Sequence, residues 1–130
     1  MGKPITTTKG GICFAFPNVC LTQVGPASVP IPYPSIGKLT DAGGTSKVKA
    51  GGSNVVRKSD EIGSTTGDSA GQTGVTSGMP VGGKVEFITY SATVKAEGSE
   101  VVRMFDQTKQ NSGNAVGIAL AGFPEVLVGG

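Results

Sequence analysis

The chain has 130 residues with 22 Gly, 8 Pro, two Cys and no His; 37% of residues are hydrophobic, 15% are charged, and the net charge is +2. That length suits one compact domain covering residues 1–130, and the apolar content with so little charge sets it apart from a disordered tail. The charge pattern lacks the basic stripe and stacking aromatics of a nucleic-acid binder and the polybasic run of a charge-held membrane protein. The absence of His removes the usual triads and the usual general base near neutral pH, so no enzymatic activity is expected.

Residues 1–6 carry no apolar core of signal-peptide length, which places the chain in the cytoplasm after synthesis. Cys13 and Cys20 lie in a mostly apolar stretch. They read as two small core residues, as a disulfide closing a short loop, or as part of a metal site. Pro30, Pro32 and Pro34 alternate with Ile31 and Tyr33. Each Pro fixes φ near −65° and pushes the residue before it to extended geometry, so this segment is stiff, extended and unsuited to a central strand. It serves either as a rigid crossing with Ile31 and Tyr33 packed on the core, or as a polyproline-type ligand for a groove.

Residues 46–60 (SKVKAGGSNVVRKSD) and 92–106 (ATVKAEGSEVVRMFD) form an internal repeat. Nine of the fifteen positions are identical in ungapped register, from Val48/Val94 to Asp60/Asp106, at a constant offset (94 − 48 = 46). Weaker matches extend the repeat to about 34–71 and 80–117. Each block reads as a β-hairpin turning at the shared Gly52 or Gly98. Matching burial is expected at Val48/Val94 and at Val55/Val101, and a repeated structural role at Asp60/Asp106. Residues 63–83 read as a long, partly ordered loop and residues 85–94 as a strand feeding the second hairpin. Residues 115–121 read as a short helix or strand. The last apolar stretch, 118–128, is broken by Gly122, Pro124 and Glu125 and is too short to span a bilayer. The fold class that follows is all-β and loop-rich, with duplicated hairpins and at most one short helix.

Three elements follow one another in order: Phe16-Pro17-Asn18-Val19-Cys20, Pro30-Ile31-Pro32-Tyr33-Pro34 and Gly67-Asp68-Ser69-Ala70-Gly71. Together they resemble the PAAR-like family of type VI secretion and related contractile injection systems. The resemblance implies a compact, conical β cap that seats on a trimeric β-helical spike, one chain per trimer. An effector or chaperone would be a further partner, and membrane contact would come only as part of the spike. It also implies a cytoplasmic protein that leaves through the contractile machine. Pro30, Ile31, Pro32, Tyr33, Pro34 and Asp68 are its signature residues, to which the repeat adds Arg57, Arg103 and Asp106. Better-known tips of this kind hold zinc with His and Cys. With no His here, no cofactor is expected, and Cys13 and Cys20 stand as the alternative metal ligands. Two other functions fit the residues: a Cys-based metal- or ligand-binding β domain, and a Pro-rich adaptor displayed to a partner groove.

Overall fold

The computed structural model describes residues 2–120 and 123–129. The fold is all-β, with strands β1 (Lys3–Ile5), β2 (Ile12–Val24), β3 (Ala27–Lys38), β4 (Lys49–Ala50), β5 (Ser53–Asn54), β6 (Glu61–Ile62), β7 (Thr73–Gly74), β8 (Val85–Phe87), β9 (Lys95–Ala96), β10 (Ser99–Glu100), β11 (Gln107–Gln110), β12 (Ala115–Ala119) and β13 (Phe123–Val128). The one helical element among the described residues is a 3-10 turn at Leu39–Asp41. Where a short helix or strand was expected at residues 115–121, Ala115–Ala119 is a strand, and residue 121 lies outside the described residues.

Seven strands form one antiparallel sheet in the order β3-β2-β12-β11-β8-β6, with β7 added to β2. Its backbone is the long β2–β3 hairpin, turned at Gly25, whose φ of 58° is the positive value a tight two-residue loop requires. The alternating prolines fit β3 because of strand phase. Ile36 directs its N–H and C=O outward, to Thr66. With a period of two, Pro34, Pro32 and Pro30 therefore also face outward, where no bond to β2 is lost. The prolines blunt that edge against further pairing. The segment is extended and lies at an edge, as its sequence requires.

Two expected elements differ. Residues 85–94 are a strand only as far as Phe87, because the N–H groups of Ile88 and Thr89 both donate to Gln107 O, at 3.0 and 3.3 Å, which ends the regular ladder. Residues 63–83, read as a long, partly ordered loop, carry more order than that. They contribute β7 to β2 and are bridged at Ile36↔Thr66 and Thr73↔Pro80. Glycine permits this close docking: a Cβ on Gly74 would sit 2.4 Å from Asn114 Cγ.

The core lies in two clusters. Cys13, Leu39, Ala42, Val56, Ile62, Val85, Phe87, Val102 and Ala119 fill the space under one face of the sheet. Ile5, Ala50, Val55, Ala96, Val101 and Val128 fill a second space between the three short two-stranded arms, β4–β5, β9–β10 and β1–β13.

Candidate functional site

Between the two clusters, three backbone segments close a ring. Thr6 N–H donates to Val102 O at 3.0 Å, Val102 N–H to Val56 O at 2.9 Å, and Val56 N–H to Thr6 O at 3.0 Å. A second ring two residues away runs in the opposite sense: Thr8 N–H to Asn54 O at 2.9 Å, Lys58 N–H to Glu100 O at 2.8 Å, and Met104 N–H to Pro4 O at 2.8 Å. The bridges Ile5↔Arg103, Thr7↔Val55 and Arg57↔Val101 obey the same cyclic rule. Residues 4–8, 54–58 and 100–104 are thus equivalent about a pseudo-threefold axis. β-branched Thr6, Val56 and Val102, all fully buried, suit the extended geometry the ring needs.

Each segment continues an arm. In two arms the partner strand comes from the preceding residues, with the pairs Ala50↔Ser53 and Lys49↔Asn54 matched by Ala96↔Ser99 and Lys95↔Glu100. The two hairpins share one register, and burial agrees as the repeat predicts: Val55 and Val101 are each 1% exposed, Val48 and Val94 42% and 38%. The third arm joins the two ends of the chain, β1 pairing β13 through Lys3↔Val128 and Pro4↔Leu127. Val128 therefore stands where Ala50 and Ala96 stand, and exposed Leu127 where Lys49 and Lys95 stand. The third unit is therefore residues 3–8 completed by β13, not a hairpin of the repeat.

The repeated Arg and Asp form a clasp in each copy. Asp106 Oδ2 accepts from the Arg103 N–H at 2.7 Å and from its Nε at 3.0 Å, and Arg103 Nη2 reaches Asp106 Oδ1 at 2.9 Å and Tyr90 O at 3.3 Å. Arg57 and Asp60 repeat this, down to Nη2 donating to Gly44 O at 3.2 Å, the carbonyl equivalent to that of Tyr90 (90 − 44 = 46). Burial alone would raise the Asp106 carboxyl, but the Arg103 and Thr89 hydrogen bonds outweigh it and leave it below its ordinary value. The arms are also tied to each other. The Glu97 carboxylate accepts backbone N–H bonds from Lys47 at 2.8 Å and Val48 at 3.0 Å, with Ser46 beside them, which lowers it to about 2.

At the other end of β2 is a buried polar network that the sequence did not announce. Asn18 Nδ2 donates to Asp68 Oδ2 at 2.9 Å, while Asn18 Oδ1 accepts from Asn111 at 3.1 Å and Asn114 at 2.6 Å. Asp68 also accepts the Gly82 N–H at 3.3 Å. This explains why Asp68, of the third signature element, and Asn18, of the first, meet: together they pin residues 67–83 to β2. Cys20 belongs to this network, 3.7 Å from Asn18 Oδ1, and burial, then the Asp68 charge, raises its thiol. Cys13 lies in the apolar core, where burial pushes it up to about 12. Both cysteines are free, which overturns the disulfide reading. The structure gives them separate surroundings, one apolar and one amide-lined, rather than a common ligand set. Among the described residues there is no group of three or more His, Cys, Asp or Glu suited to a metal.

Of the Pro signature, Pro30 and Pro32 are exposed, while Ile31, Tyr33 and Pro34 are half-buried. Tyr33 pairs with Asn18, and its hydroxyl lies 2.8 Å from Thr22 Oγ1. A polyproline ligand is free along its length, whereas this segment is laid against β2. Signature and repeat residues thus occupy two regions: Pro30 to Asp68 secure the long hairpin, and Arg57, Arg103 and Asp106 secure the threefold end.

The fold and its rings define an all-β module with a pseudo-threefold end. The family described as the toxin PAAR-like domain matches residues 11–117, and the chain belongs to that family. Membership points to a spike-tip-related role in a secretion system. No curated protein and no solved structure is significantly similar to the chain.

Proposed function

We propose that this chain is a non-enzymatic spike-tip cap whose threefold end seats on the blunt end of a trimeric spike, one chain per trimer. The observation that carries this reading is the pair of backbone rings through residues 4–8, 54–58 and 100–104. A single chain meets three identical chains evenly only if its own surface repeats three times about the shared axis. The three arms supply that repeat in their strand ends, and exposed Val48, Val94 and Leu127 add apolar side chains, Leu127 one position along from the two valines. The net charge of +2 suits seating by shape rather than by long-range steering. In this reading the protein waits in the cytoplasm and leaves through a contractile injection machine, helping the spike to breach a membrane or deliver an effector. Mixing the purified chain with its spike trimer and weighing the product by light scattering is expected to give one chain per trimer. Three chains per trimer, or no complex at micromolar concentration, contradicts the proposal.

A further inference from the structure

The outer face of the seven-stranded sheet breaks the usual pattern. An antiparallel sheet with one covered face ordinarily turns polar residues to water on the other. Here the covered face carries Cys13, Ala119, Val85 and Phe87. The opposite face of β2 and β12 nevertheless carries Ile12, Phe14 and Phe16 beside Val116 and Ile118, with Leu120 just past the end of β12. Phe14 and Ile118 are direct cross-strand partners. Phe16, Val116 and Leu120 are 58%, 59% and 37% exposed. No charged residue occurs anywhere from residue 10 to residue 37, so nothing on β2 interrupts this apolar area. A contiguous patch of this kind marks an interaction surface, whereas singly scattered apolar residues do not.

The same face changes character along the next strands. Val116 pairs with exposed Lys109, Lys109 with Glu86, and Glu86 with Glu61. Lys84 Nζ bridges the two glutamates at 3.3 Å to each. The face is therefore apolar on β2 and β12, flanked by exposed Lys38 of β3, the partner of Ile12, on one side and by charges of both signs on β11, β8 and β6 on the other. The glutamates oppose an anionic lipid surface, and the mixed signs fit no partner whose rim has a single sign. They do fit a copy of themselves. In a twofold contact each patch meets its own equivalent, so apolar strands cover apolar strands and the Lys109 of one copy is free to face a carboxylate of the other.

We infer that the β2–β12 face is a self-association surface, covered in the free protein by a second copy of this chain. The contact uses no arm residue, so it leaves the threefold end available and stands or falls separately from spike binding. Sedimentation velocity of the full chain from 1 to 200 μM (about the range in which a standard-size but modest interface is populated) is expected to show a monomer–dimer equilibrium. Val116→Asp should raise the dimer dissociation constant by about 100-fold or more, since it places a charge in each half of an apolar contact. Its circular dichroism should be unchanged, because the side chain it replaces is exposed. As an independent readout that introduces no charge, Val116→Cys should form an intermolecular disulfide under mild oxidation; Cys13 and Cys20 are buried. A wild-type chain that stays monomeric at 200 μM overturns the inference. So does a dimer that survives Val116→Asp unchanged, or a monomer that instead co-sediments with phosphatidylcholine vesicles through this face.

Discussion

The two copies of the repeat share a clasp but not its surroundings. Around Arg103 and Asp106 the side chains are 10% and 1% exposed, and Asp106 accepts a further hydroxyl bond from Thr89 at 2.9 Å, with Lys3 Nζ at 3.7 Å. Around Arg57 and Asp60 the values are 19% and 8%, and the closest side-chain contacts lengthen to 3.3 and 3.4 Å. The reason lies outside the repeated block. Thr89 is equivalent to Gly43 (89 − 43 = 46), which has no hydroxyl to give, and among the described residues Arg57 is the one ion-pair partner of Asp60. One motif thus yields the same geometry twice, with its energetic weight set by neighbours that the repeat does not include.

The largest test of this difference removes each carboxylate. Asp106→Ala leaves Arg103 buried without its counter-ion and should cost about 3–5 kcal/mol, whereas Asp60→Ala leaves a more accessible arginine and should cost about 1–2 kcal/mol. Urea midpoints measure both, and equal losses would break the comparison. A smaller effect runs the other way. Gly43 is not in the left-handed region, and a Cβ there would lie 3.5 Å from Asp60 Oδ1. Gly43→Thr should therefore install the missing hydroxyl and stabilise the protein by about 0.5–1.5 kcal/mol, part of it from the lost freedom of glycine in the unfolded chain. Destabilisation on thermal melting would show that the two sites are not equivalent.

The smallest effect is electrostatic and shows as a pH dependence in acid. Glu97 replaces Gly51 of the first copy (97 − 51 = 46), and its backbone clasp holds it at about 2. A depressed folded-state value means that its contribution is complete above the unfolded value of about 4.3 and is lost as pH falls through the folded one. Glu97→Gln should thus flatten the loss of stability between pH 5 and about 2, while leaving in place the Asp106 contribution, which has the same sign. Parallel urea midpoints for variant and wild type across that range would contradict the assignment.

Much of this was legible in the residues. Val55-Val56 and Val101-Val102, placed after glycine turns, specify hairpins of one register, and alternate prolines can sit in a sheet only at an outward-facing edge. The third arm was not legible as an arm. Its segment Pro4-Ile5-Thr6-Thr7-Thr8 shares only a β-branched character with Asn54-Val55-Val56-Arg57-Lys58, and β13, the partner of β1, comes from the other end of the sequence. Equivalence there resides in backbone bonds, which any β-branched residue supports. The Asn18 network was equally hidden. Asn111 and Asn114 follow no period, and only the placement of the β11–β12 turn beside β2 brings them to Asn18.

The threefold end is tested most directly by asking whether all three arms touch the spike in the same way. Lys3, Ser53 and Ser99 are equivalent positions next to the ends of the arms. Lys3→Cys, Ser53→Cys and Ser99→Cys, each carrying a thiol-linked photo-crosslinker, are to be mixed singly with the spike trimer, irradiated and mapped by mass spectrometry. The account predicts that all three attach to the same segment of the spike chain, one spike chain per cap. Attachment from a single arm only, or from none while a probe at Val116 attaches, would contradict it.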